Sequence, residues 1–327
     1  MEKILTSMKQ EKSRSLFIVY GILIILLPIS ELISPGFLAL SHMDSVLRQA
    51  AFLGIVAIGQ TFVILTGGID ISVASVITLA NVVSAQVMSG QDSNVLFAIA
   101  LILAIGLIVG LVNGLGVFFL RIPSMIMTLA MGGVVQGIAL IYSKGAPKGN
   151  TAPFIKYIST GKIGGAISVV VVLWIALSII TIVTLRKTIF GRSTYMIGTN
   201  LEAARYSGTN IAMQTISVYV ISSVMAAIVG ILLVGYTNTS FTTAGDIYTM
   251  NSIAAVVIGG TSIMGGLGVY GGTIAGSIIM TMIVSLLTII RIPDSGRDIA
   301  QGVIIILLVL AYSGRIFSKK RRVTIKS

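Results

Sequence analysis

Residues 247–290 read IYTMNSIAAVVIGGTSIMGGLGVYGGTIAGSIIMTMIVSLLTII, with no Asp, Glu, Lys or Arg between Asp246 and Arg291. As one helix this stretch would be about 66 Å long, more than twice a hydrocarbon core of about 30 Å. Glycine permits tight reversals, and Gly265, Gly266, Gly268, Gly271 and Gly272 sit near its middle. The stretch therefore predicts two membrane spans, 248–264 and 272–290, joined by a short turn.

The same reading extends outward. Residues 71–91, 93–120, 122–143, 163–185 and 206–245 are also free of charge. Further spans are expected at 16–29, 47–66, 71–89, 95–120, 124–142, 166–185, 214–236 and 299–314. The chain of 327 residues is 55% hydrophobic and 10% charged, with a mean hydropathy of +1.03. That is too little charge to cover a soluble surface. The fold class is an all-α integral membrane protein of about ten transmembrane helices, forming one membrane domain over 1–327. The run from Leu16 to Ile29 lacks a following A-x-A site, so it reads as an uncleaved first span rather than a signal peptide.

The net charge of +12 suggests nucleic acid, but its distribution does not. Basic residues gather in 1–15, in 186–214 and in 315–327, the pattern of cytoplasmic segments. With both termini inside, fifteen Lys and Arg fall on the cytoplasmic side and seven outside. The loop 143–165, with Lys144, Lys148, Lys156 and Lys162 outside, fits this least well. The tail Lys319-Lys320-Arg321-Arg322 suits anionic lipid. The chain has no Cys and one His, which removes thiolate, iron–sulfur and Cys/His zinc chemistry. No cofactor is expected.

The segment 191–208 carries the most chemistry. Asn200 is a plausible helix N-cap, and Glu202 in the first turn suits the positive helix end. Ala203 and Ala204 are strong helix formers of low profile, Arg205 follows, and Gly208 ends the helix. The result is a short knob suited to a groove on a cytosolic partner, or else an amphipathic helix on the headgroups. Asp70 lies between two expected spans, after Gly67 and Gly68 and before Ser72. Capping of the next helix and gate geometry are favoured there over substrate or proton binding. Polar residues inside spans include Gln60, Thr66, Asn81, Gln86, Asn113, Gln136, Asn251, Thr261 and Ser262. They line a solute route or hold helices together. Asn251, Thr261 and Ser262, beside a glycine-rich break, are the better pore candidates. Gly106, Gly110 and Gly114, like Gly133 and Gly137, recur at the four-residue spacing of close helix packing or of a dimer face. Ile64–Ser72 and Ile258–Ile263 echo each other, a hint of duplicated halves.

Three blocks carry a resemblance. Glu202-Ala203-Ala204-x-x-x-Gly208 resembles the EAA-x-x-x-G coupling loop of bacterial ABC importer permeases. Residues 59–73, GQTFVILTGGIDISV, and 253–268, IAAVVIGGTSIMGGLG, are similar to two blocks of the ribose/xylose-type sugar permeases. Ala74 and Met264 depart from that pattern. The resemblance implies a homodimer or paired heterodimer of permeases, two cytoplasmic ABC ATPase subunits and an extracytoplasmic sugar-binding protein. It also implies alternating access for a monosaccharide, a small polyol or an autoinducer-2-like furanosyl signal. The chain itself contains no G-x-x-x-x-G-K-[ST] loop, so energy comes from a partner or an ion gradient. An ion-coupled secondary transporter is the alternative, but it needs more buried titratable groups than Asp70 and Glu31 supply. Scattered acids and a lone His42 disfavour a membrane enzyme.

Overall fold

The computed structural model describes residues 2–293, 295–297, 299–300 and 302–303. Seven helices are long and apolar enough to cross a membrane, among the described residues. They are α1 (Glu2–Ile33), α2 (Leu40–Leu65), α4 (Val95–Phe118), α5 (Ser124–Ser143), α7 (Val169–Lys187), α10 (Ile211–Thr237) and α12 (Tyr270–Ile289). Two apolar helices are shorter: α3 (Val73–Met88) has 16 residues and α11 (Asp246–Ile258) has 13. At 1.5 Å per residue they reach only about 24 and 20 Å, less than the hydrocarbon core. The expected span 248–264 is thus corrected. Its helix ends at Ile258, because Gly259 and Gly260 follow and Gly260 has a φ of 84°. Seven long and two short helices match nine of the ten expected spans; the expected tenth, 299–314, and the basic tail 315–327 lie largely outside the described residues.

The bundle has a core and a sleeve. The apolar window of α2 is 83% buried and that of α10 is 72% buried, against 11% for α1 and 22% for α5. The charge-free sequences of core and sleeve look alike because lipid and protein interior are equally apolar. What separates them is small residues. A Cβ on Gly110 or Gly114 would strike the α10 backbone at Val220 or Ile216, and one on Gly106 would press on Ser223 and Val224. These glycines therefore serve close packing of α4 on α10 within one chain. A Cβ on Gly133 or Gly137 of α5 would meet nothing within 4 Å.

Buried hydrogen bonds add direction to this packing. The Trp174 indole of α7 donates to the Tyr270 hydroxyl at 3.0 Å, and that hydroxyl donates to the Gly54 carbonyl of α2 at 3.0 Å. Asn81 donates to the Gly230 carbonyl and accepts from the Phe241 amide, so it ties α3 to α10 and the loop beyond it. Between α5 and α7 stand a small helix, α6 (Pro153–Thr160), and a two-stranded antiparallel hairpin, β1 (Lys162–Ile163) with β2 (Ile167–Ser168). Asp44 holds this hairpin by an ion pair to Lys162 at 3.0 Å and by accepting from Ser168 at 2.6 Å. Two further short helices, α8 (Ile189–Thr199) and α9 (Leu201–Tyr206), fill the basic segment between α7 and α10.

Candidate functional site

Two non-helical breaks, 66–72 after α2 and 259–269 after α11, meet inside the bundle. Irregular backbone at membrane depth needs protein partners for its polar groups. The first break finds them on α4 and α5. Ser124 accepts from the Ile69 amide at 3.2 Å, and Thr128 accepts from the Ile71 amide at 3.0 Å. Asn113 donates to Ser72 Oγ at 2.9 Å.

Asp70 is fully buried in this break. Its Oδ1 accepts from the Ser72 amide at 2.9 Å and from the Ser72 hydroxyl at 2.6 Å. The carboxylate thus ties down the chain just before α3, but Ser72 rather than Asp70 occupies the N-cap position, and no side chain caps that helix. The Ser222 hydroxyl of α10 faces the carboxylate, and the Tyr219 hydroxyl lies above Gly68. Neither Asp70 Oδ2 nor Ser222 Oγ closes a hydrogen bond among the described residues.

The pore candidates divide by whether their polar atoms are occupied. Thr66 donates to the Val63 carbonyl one turn back, and Ser262 Oγ accepts from the Met264 amide. Ser72 belongs to the Asp70 network, and Gly67 shapes the turn with a φ of 83°. These residues build the breaks. Gln60, Asn251 and Thr261 differ. Both amide atoms of Gln60, Oδ1 of Asn251 and Oγ1 of Thr261 are buried without a hydrogen-bond partner among the described residues. Gln60 shares the α2 face of Ala57 and Ile64, which packs on Ile253 and Val256 of α11. Unpaired buried polar atoms cost roughly 1–3 kcal/mol each, so such a seam needs a reason or an occupant.

The coupling candidates occupy the segment between α7 and α10. Asn200 caps α9 by accepting from the Ala203 amide at 3.0 Å. Glu202 and Arg205 form an exposed ion pair at 3.5 Å. Ala204 is buried, whereas Tyr206 is 87% exposed. The last turn closes through Gly208, with a φ of 78°, whose amide donates to the Arg205 carbonyl. The site has members that the sequence did not single out. Gln214 of α10 donates to Thr194 at 2.6 Å and to the Phe190 carbonyl at 3.0 Å, locking α8 in place. Tyr195 donates to the Gly268 carbonyl at 2.9 Å. Burial pushes the Tyr195 phenol up to about 12, with Arg186 opposing, so it stays a neutral donor. The sequence does not tell the two tyrosines of this segment apart: Tyr195 packs inward, whereas Tyr206 is exposed.

Broken helices enclosed by a continuous helical sleeve, with polar atoms held at their junction, are the build of a membrane transport protein. The chain belongs to the family described as the permease component of the branched-chain amino acid transport system, which matches residues 42–312. It is 34% identical over 295 residues to the ribose import permease protein RbsC of Escherichia coli, covering 88% of this chain and 90% of the relative. It is 35% identical over 292 residues to RbsC of Bacillus subtilis, covering 88% and 89%. It is 32% identical over 319 residues to the galactose/methyl galactoside import permease protein MglC of Escherichia coli, covering 92% and 95%. No solved structure matches the chain.

Proposed function

We propose that this chain is the multi-pass permease subunit of a sugar importer in the cytoplasmic membrane. It moves a monosaccharide of the ribose or galactose kind by alternating access, and separate ATPase subunits supply the energy. The relatives' printed names, ribose and galactose import permeases, support the sugar class. Two copies of the chain, or this chain and a paralogue, enclose the route. Two ATPases dock on 186–214 from the cytosol, and an extracytoplasmic binding protein delivers the sugar. The termini 1–15 and 315–327 share the cytosolic side.

The observation that carries this reading is the contrast between the two ends of the site. The capped knob α9 presents Leu201, Glu202, Arg205 and Tyr206 outward, all exposed. Gln60, Asn251 and Thr261 hold unpaired polar atoms inward. Exposed apolar and charged groups on a small rigid helix suit a protein groove. Buried donors and acceptors suit sugar hydroxyls, which need both. The test is reconstitution with the cognate ATPases and binding protein in liposomes, followed by uptake of labelled pentoses, hexoses and furanosyl sugars. ATP-dependent uptake of one class is expected. Uptake that persists without ATPases under an ion gradient would overturn the reading.

A further inference from the structure

The last turn of α8 lies on both breaks at once. The Gly266 amide of the second break donates to the Leu65 carbonyl, where the first break begins, at 2.9 Å. A Cβ on Gly198 would strike both atoms of that hydrogen bond. Gly198 therefore rests directly on the bond that joins the breaks. On either side, a Cβ on Gly265 would meet the Gly198 Cα at 3.1 Å and the Gly67 amide at 2.8 Å, and one on Gly266 would meet the Thr199 backbone at 2.9 Å. Tyr195, three residues before Gly198, reaches the carbonyl of Gly268 at 2.9 Å. Apart from the Thr199 hydroxyl, which a Cβ on Gly266 would also strike, these contacts are backbone on backbone, so displacement of α8 passes into main chain.

We propose that the Tyr195–Thr199 turn is the transmission contact of the transport cycle, seated on the Leu65–Gly266 hydrogen bond so that both breaks move together when α8 moves. This rests on the importer reading above. It divides the segment in two: α9 grips the ATPase, and α8 conveys the motion. Tyr195 and Gly198 act here as positioning residues, without touching solute or nucleotide. The Gln214 bonds to α8 fix the far end of the same lever to α10.

The experiment compares Tyr195→Phe and Gly198→Ala in the full importer, reconstituted with its ATPases and binding protein. Three readouts are taken: capture of the ATPases by the tagged permease, ATP hydrolysis with and without sugar-loaded binding protein, and sugar uptake. Both variants should capture the ATPases as the wild type does. Hydrolysis should lose its response to the loaded binding protein. Uptake should fall about fivefold for Tyr195→Phe, the effect of one hydrogen bond, and further for Gly198→Ala. Wild-type uptake in Tyr195→Phe would overturn the proposal, and so would loss of ATPase capture, which would make α8 a gripping surface instead. Tyr195→Phe decides alone if Gly198→Ala fails to insert. A wild-type permease that captures no ATPase would sink the importer reading itself, and this inference with it.

Discussion

Asn113 of α4 donates to the hydroxyl of Ser72 at 2.9 Å, and that hydroxyl in turn donates to Asp70. A chain of two side chains thus connects a continuous span to a buried carboxylate in a helix break. Removing the carboxylate strands the Ser72 amide and hydroxyl without an acceptor, at roughly 1–3 kcal/mol. Asp70→Ala should therefore lower the detergent-solubilised melting temperature, and Asp70→Asn, which retains one acceptor oxygen, should lower it less. Equal melting of Asp70→Ala and wild type would remove the structural role.

The polar seam separates stability from transport. Gln60 has no hydrogen-bond partner to lose among the described residues, so Gln60→Leu costs no bond and removes a desolvated amide. The variant should melt at or above the wild-type temperature while its sugar uptake falls. A stable variant with full uptake would take Gln60 off the route.

Tyr270 of α12 ties α7 and α2 together through one hydroxyl. Tyr270→Phe leaves the Trp174 indole and the Gly54 carbonyl facing a ring, a loss of roughly 1–3 kcal/mol. The check is thermal unfolding of the purified permease, with Tyr20→Phe, on the more exposed α1, as the comparison expected to melt close to wild type.

On the α9 knob, Asn200→Ala removes the helix cap at about 1 kcal/mol, equivalent to about a fivefold loss of helix population. Gly208→Ala has room for its methyl group but is strained by its positive φ, at about 1 kcal/mol. Both variants should insert normally and capture less ATPase. Glu202→Lys should do the same by setting a second cation beside Arg205. Undiminished capture by all three would exclude α9 as the docking knob.

The glycines of α4 and α5 make the packing claim testable by contrast. Gly110→Val drives a side chain into the Val220 backbone and should cost at least about 1–3 kcal/mol or block insertion. Gly137→Ala should be tolerated in the same expression and melting assays, because nothing lies within 4 Å of its Cβ position.

The long spans were legible because lipid demands charge-free helices of a minimum length. The α9 cap, its Gly208 stop and the turn-forming role of Gly67 were legible because local chemistry dictates them. The shortness of α3 and α11 was not. The charge-free run carries on past Ile258, but Gly259-Gly260 ends α11 there, and the bonds of Ser124 and Thr128 to the Ile69 and Ile71 amides hold the break that delays the start of α3. Nor could periodicity reveal that Gly198 serves a contact, since its partners Leu65 and Gly266 are far away in the chain. The amphipathic α6 and its hairpin are not legible in the sequence, because Pro153 and Gly164-Gly165 mask two very short elements.

The sleeve of α1, α5 and α7 around shorter, interrupted inner helices divides the chain into two mutational regimes. An outward-facing Ile179 or Leu129 answers only to hydrocarbon, and any oily replacement of similar length serves as well. An inward Gly59 or Gly272 answers to another strand of main chain, and even one added carbon has nowhere to go. A methyl group added at the periphery is therefore absorbed by lipid, while the same methyl added to the lining must displace a neighbouring helix.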